Sequence, residues 1–139
     1  MRLEKNNGVF HQSTQQLSPL PAYSVVNLAV YIESQCSDTS SFIHRRLLPA
    51  WKELSVTNRI SIKIVPFGKA KCYKFDSSYN CECQHGPSEC ELNQLMNCVI
   101  YVVRDPLTYV PMISCIQGRR DLNSAILKCL SKFHASTKG

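Results

Sequence analysis

No stretch of this chain constrains its fold more than Cys83-Gln84-His85-Gly86-Pro87-Ser88-Glu89-Cys90-Glu91-Leu92-Asn93-Gln94-Leu95-Met96-Asn97-Cys98. Three cysteines, a Gly-Pro turn signal and the start of an apolar-periodic run fall within sixteen residues. Gly86 gives the turn its backbone freedom. Gln84 is expected to bond to loop backbone, and His85 to be a structural side chain bonded within the turn. Beyond the turn, Leu92, Leu95, Met96 and Val99 share one face, which predicts a helix over Glu89–Val102. Glu89 and Glu91 favour its first turn through the helix dipole.

Eight cysteines among 139 residues are about 6% of the chain, a density that argues for disulfides in an oxidising compartment or for a metal site. Cys72 and Cys81 lie nine apart in a loop and can staple it to itself. Cys83, Cys90, Cys98, Cys115 and Cys129 remain as further disulfide candidates, an odd number whose pairing the sequence does not give. Each bridge would contribute about 2–4 kcal/mol. The rival chemistry is zinc: Cys81, Cys83, His85, Cys90 and Cys98 supply enough sulfur and nitrogen for a tetrahedral site. Their spacing is not one of the usual finger arrangements, and Pro87 and the following helix draw Cys98 away. No metal or other cofactor is therefore expected.

The length predicts one domain, and 44% hydrophobic residues suffice for a core. The net charge of +6 is spread over scattered pairs such as Arg45-Arg46 and Arg119-Arg120. These are not interleaved with aromatics, which argues against a nucleic-acid partner. No stretch approaches transmembrane length, so no membrane partner is expected. Residues 1–24 are polar, end in Ser18-Pro19-Leu20-Pro21 and contain no apolar run of signal-peptide length. They are expected to form a flexible leader, with the true start of the protein lying upstream.

From Val25 to Ile32 the chain is β-rich and nearly continuously apolar, which predicts a central strand buried on both faces. A helix is predicted over Asp38–Leu54, with Ser37, Asp38 or Thr39 as its N-cap. Its apolar stripe is Ile43, Leu47, Trp51 and Leu54, and Pro49 should kink it. His44 is placed on its solvated surface. Arg59–Val65 alternates through Ile60, Ile62 and Ile64, predicting a half-buried strand. Strand, helix and strand in this order make a βαβ unit with parallel strands. A loop-rich insertion over Phe67–Pro87 follows. Asp105-Pro106 ends the next helix, Tyr109–Ile116 is ambiguous, and Asp121 caps a last helix to Phe133. That helix should turn Leu122, Ala125, Ile126, Cys129 and Leu130 to one side. Residues 135–139 form a tail.

Cys36 stands just after a strand and just before a helix. There the helix dipole and free backbone N–H groups stabilise a thiolate. In a C-x-x-C redox site the second cysteine resolves the mixed disulfide, and here Thr39 takes that place. Thr39 can donate a hydrogen bond to the sulfur but cannot attack it. Asp38 is expected to push the thiol pKa up somewhat. By position alone, a buried or disulfide-bonded cysteine is the favoured reading of Cys36, because one cysteine between a strand and a capped helix is a common pattern.

The sixteen-residue segment reads CQHG-x2-EC-x2-N-x4-C, which resembles the signature of the gamma-interferon-inducible lysosomal thiol reductase (GILT) family. Tyr31-Ile32-Glu33-Ser34-Gln35-Cys36, then Phe42 and Leu48-Pro49-Ala50-Trp51, look like its Y-Y-E-x-x-C and the helix after it. Ile64-Val65-Pro66-Phe67-Gly68-Lys69-Ala70 resembles its V-P-Y-G-N-A. The similarity runs from about Val25 to Cys129. It implies an α/β fold, a partial thioredoxin-like core with a disulfide-rich helical insertion over about 68–134 inside a domain over 25–134. It also implies a cofactor-free reductase of protein disulfides, lysosomal or secreted, whose partners are disulfide-bonded protein substrates and a small thiol reductant.

By this resemblance Cys36 is the attacking cysteine and Thr39 the resolving position. Cys83, Cys90, Cys98, Cys115 and Cys129 fall on family positions, whereas Cys72 and Cys81 do not. Without a resolving cysteine, the expected activity is monothiol exchange. Family members continue past the end of this chain, so the C-terminal core strands are expected to be missing. Tyr109-Val110-Pro111-Met112 is assigned to the helical insertion and not to the family's V-P-W-like segment. The alternative is a catalytically inactive, disulfide-stabilised secreted binding protein derived from the same fold.

Overall fold

The computed structural model describes residues 24–131. The expected leader (apart from residue 24), the tail and the end of the last helix at Phe133 lie outside the described residues. The observed class is mixed α/β with two small sheets. Strand β1 (Val26–Ile32) pairs in parallel with β2 (Ile60–Pro66), in register from Val26 opposite Ile60 to Ile32 opposite Pro66. The helical crossover between them completes the expected βαβ unit.

β1 is not buried on both faces. Val30 and Ile32 are buried, while Tyr31 is 72% exposed. An apolar run predicts double burial only if helices cover both sides. Here, among the described residues, the core covers one side, and β2 shows the same single-faced pattern through Ile62 and Ile64.

The crossover is helical from Ser37 to Leu54: α1 (Ser37–Phe42), a π turn over Ile43–Leu47, and α2 (Leu48–Leu54). The irregularity expected at Pro49 takes the form of this π turn. The widened turn contains Arg45, whose carbonyl the proline ring would otherwise crowd. Ile43, Leu47 and Trp51 are buried as predicted, but Leu54 is 45% exposed at the helix end.

Part of the insertion is an antiparallel hairpin, β3 (Lys71–Phe75) and β4 (Ser78–Glu82), where only loop was expected. Cys72 and Cys81 sit opposite each other in its ladder and form a disulfide, with Cα atoms 4.1 Å apart. Helix α3 (Pro87–Val103) runs across the sheet, with Leu92, Met96 and Val99 buried. It stops at Arg104, which is left-handed, and Asp105 caps the next helix by accepting from the Leu107 N–H.

Tyr109–Ile116 resolves as helix within α4 (Pro106–Ile116). Its ambiguity has a physical cause: Val110, Met112, Ile113 and Ile116 are all buried, so no polar face marks a helical period. α5 (Leu122–Ala125) continues into a π turn over Ile126–Leu130 and is capped by Asp121 as predicted. Ala125 and Cys129 face the core, whereas Ile126 is 41% exposed. Cys129 bridges to Cys115 and ties this helix to α4.

Candidate functional site

Glu33–Cys36 connects the end of β1 to the start of α1, and three surrounding segments fix it. The first is the turn before α3 and that helix's first two turns. Asn93 Oδ1 accepts the Ser34 N–H at 3.0 Å, and Ser34 Oγ donates to the Glu89 carbonyl at 3.1 Å. Glu89 Oε2 accepts the Gln35 N–H at 3.2 Å. Glu89 and Asn93 are four apart, so one helical face presents both to the loop. The second segment follows α4: Gln117 Nε2 donates to the Glu33 carbonyl at 2.7 Å, and the Gly118 N–H donates to the Ser34 carbonyl at 2.8 Å. Gln35 Nε2 reaches the Arg119 and Arg120 carbonyls and Ser88 Oγ. The third follows β2, where the Lys69 N–H donates to Glu33 Oε1 at 2.7 Å. Beside it, a Cβ on Gly68 would meet Glu33 Cγ, so the glycine leaves room for this carboxylate.

Cys36 is the N-cap of α1, with extended backbone and its carbonyl accepting the Ser40 N–H at 3.0 Å. The predicted Ser, Asp and Thr caps lie one to three residues too late, because the helix starts immediately after the cysteine. Its half-buried thiol is free. Its pKa is lowered chiefly by the Thr39 hydroxyl, then by the Thr39 backbone N–H, with a smaller contribution from the Asp38 N–H. Burial and the Glu33 carboxylate oppose this. Thr39 stands in the first turn of α1, three residues after the cysteine. The charge acting against the thiolate is Glu33 and not Asp38, whose contribution comes from its backbone N–H.

His85 is bonded within its turn, as expected. Its Nδ1 lies 2.7 Å from Glu89 Oε2, and its backbone N–H donates to Glu89 Oε1 at 3.2 Å. The ring is also 3.9 Å from Glu33 Oε2. Gly86 has the positive φ, 97°, that the turn calls for. Glu33, His85 and Glu89 bring one ligand atom each within 4.8 Å of the others. Both oxygens of Glu89 and one of Glu33 already accept N–H groups, so the trio forms a hydrogen-bonded clamp. His44 lies on the surface, but its Nε2 is 2.7 Å from the Ser114 carbonyl and ties α4 to the crossover helix.

Cys83 bridges to Cys90 across the same turn. Together with Cys72–Cys81, this removes the zinc alternative, because Cys81, Cys83 and Cys90 have no thiolates left to offer a metal. Of the disulfide candidates, Cys98 alone is unpaired, exposed on the outer side of α3. Glu33, Gln35, Glu89, Asn93 and Gln117 escaped notice in the sequence as site residues. The spacing of four between His85 and Glu89, and again between Glu89 and Asn93, was the available signal.

A family model described as Gamma interferon inducible lysosomal thiol reductase (GILT) matches residues 27–133. The chain belongs to the GILT family. Among similar proteins, a GILT-like protein of Caenorhabditis elegans is 42% identical over 133 residues, covering 94% of this chain and 41% of that relative. A GILT-like protein of Caenorhabditis briggsae is 38% identical over 110 residues, covering 77% and 50% respectively. The gamma-interferon-inducible lysosomal thiol reductase of Mus musculus is 29% identical over 115 residues, covering 83% and 45%. This GILT chain thus spans about half the length, or less, of these relatives. Among its described residues no helix is long and apolar enough to cross a membrane.

Proposed function

We propose that this chain is a monothiol oxidoreductase that reduces protein disulfides through Cys36. The observation that carries the proposal is a free thiol at a helix N-terminus, with a lowered pKa, in a loop held from three sides. The Cys36 thiolate attacks one sulfur of a substrate disulfide, forms a mixed disulfide and expels the other sulfur as thiolate. Thr39 stabilises the attacking anion but has no sulfur with which to resolve the intermediate. A small thiol therefore attacks the mixed disulfide, and two such thiols per cycle leave as their own disulfide while Cys36 is regenerated. No cofactor takes part.

The βαβ unit, with a cysteine where strand passes into helix, supports a thioredoxin-like core of which this chain carries part. Three disulfides support an oxidising compartment. Together with the name of the mouse relative, they favour a lysosomal or secreted location. The threonine at the resolving position favours one alternative, a non-catalytic binding protein on the same scaffold. Insulin reduction at acid pH with a small thiol separates the two. Wild type should turn over, with Cys36→Ser at the thiol-only background. Equal rates for the two chains would remove Cys36 from the mechanism.

A further inference from the structure

We propose that the cleft between the β3–β4 hairpin and α3 docks an extended, apolar segment of the protein substrate, close in sequence to the disulfide that Cys36 attacks. The inference rests on Cys36 being the attacking group and adds what the chain recognises. The hairpin register puts Cys72, Cys81 and Tyr79 on one face, because residues directly opposite share a side, as do residues two apart. Across from that face, Cys90, Gln94 and Asn97 recur at helical spacing on α3. Between them lies a cavity of about 510 Å³, walled on a further side by Pro66 and Phe67 at the end of β2. Ligand sites usually measure about 300–1,000 Å³. Asn97 Nδ2 donates to the Pro66 carbonyl at 2.8 Å, and the Cys72–Cys81 and Cys83–Cys90 bridges fix the hairpin and the turn after it, so the cleft is preformed.

The lining selects the occupant. Phe67 and Tyr79 present apolar rings and are 45% and 71% exposed. Glu91 is the one charged side chain among the lining residues, so the cleft has no cation to hold a phosphate or a carboxylate. Asn93, Gln94 and Asn97 place amides there, and an amide offers a donor and an acceptor together, as a peptide group does. Asn93 is 6% exposed, and its Nδ2 has no hydrogen-bond partner among the described residues. A buried donor left over in this way calls for an acceptor, which a bound chain supplies. Apolar rings beside peptide-matching amides fit an unfolded stretch of protein. A reductase of protein disulfides meets such stretches, because cysteines are among the most buried residues and the chain around them is mostly apolar.

Asn93 also ties the cleft to the cysteine loop. Its Oδ1 accepts the Ser34 N–H at 3.0 Å. Ser34 and Cys36 are two residues apart, which leaves at most about 7 Å between their Cα atoms. The Asn93 amide therefore lies within about 12 Å of the Cys36 backbone. An extended chain advances about 3.3 Å per residue, so a substrate cysteine about four residues from the docked one is within reach of Cys36.

Two readouts test the proposal. The first is fluorescence anisotropy of a dye-labelled insulin B chain with carboxymethylated cysteines, titrated with the Cys36→Ser chain, which needs no redox chemistry. The second is the ratio of kcat/KM for insulin to kcat/KM for cystine, a disulfide too small to span the cleft and the thiol together. Phe67→Ala with Tyr79→Ala removes two exposed rings and should weaken B-chain binding and lower the ratio, each by at least about fivefold. Gln94→Trp, on an exposed position of α3, fills the cleft from the opposite wall and should do the same. Unchanged B-chain binding, or an equal fall for insulin and cystine, overturns the proposal. So does a wild-type dimer in sedimentation that the double variant dissociates, because a second copy would then occupy the cleft. B-chain binding that depends on both rings, in a wild-type chain that reduces neither disulfide, supports the docking site and defeats the proposed function instead.

Discussion

At the scale of single residues, the proposed chemistry depends most on Cys36 and Thr39. A lowered thiol pKa means more thiolate at any pH below the usual thiol range, and the Thr39 hydroxyl is its largest cause. Thr39→Val removes that donor without opening a cavity. The sign follows directly: the pKa rises, the thiolate fraction at pH 6 falls, and the alkylation rate of Cys36 should drop about three- to tenfold. Thr39→Ser should retain the wild-type rate. Cys36 and Thr39 could both be proposed from the sequence, because a cysteine after a strand and a hydroxyl three residues later have one simple geometry. Glu33 could not. Asp38 is nearer in sequence, but the side chain of Glu33 occupies the space left beside Gly68, and residue spacing carries no trace of that.

Among the elements, α3 is the one on which the cysteine loop depends. Its first two turns supply acceptors for consecutive backbone N–H groups, Ser34 and Gln35. Asn93→Ala orphans the buried Ser34 N–H and should cost about 1–3 kcal/mol in urea unfolding. Loss of stability with an unchanged alkylation rate at Cys36 would mean that the loop does not need this anchor. The βαβ unit, α3 and the Asp121 cap were readable because each has a strong period or a cap residue. The hairpin was not, since Asp76-Ser77 is not among the strong turn pairs and β3 and β4 lack apolar alternation. Single-sided burial of β1 was hidden for another reason: an apolar run reports a strand's composition, and the elements that cover it are set by distant parts of the chain.

Over the whole molecule, one core joins the sheet, the crossover helix and α3 to α5. The three disulfides are distributed differently. Two close the hairpin and the turn before α3, and one ties α4 to the last helix. Replacing Cys115 and Cys129 together by serine removes the only bridge between helices among the described residues. It should lower stability by about 2–4 kcal/mol. A shift in the urea midpoint too small for that would show that packing alone holds the last helix. The same molecule contains two free thiols of opposite character: Cys98 is the more exposed, and Cys36 has the lowered pKa. Competitive labelling with a limiting amount of iodoacetamide at pH 5.5, read peptide by peptide in the mass spectrometer, therefore sets accessibility against chemistry. Labelling of Cys36 at least about tenfold faster than Cys98 is the expected result; equal labelling, or faster labelling of Cys98, would contradict the claim that this fold is built to make Cys36 a nucleophile.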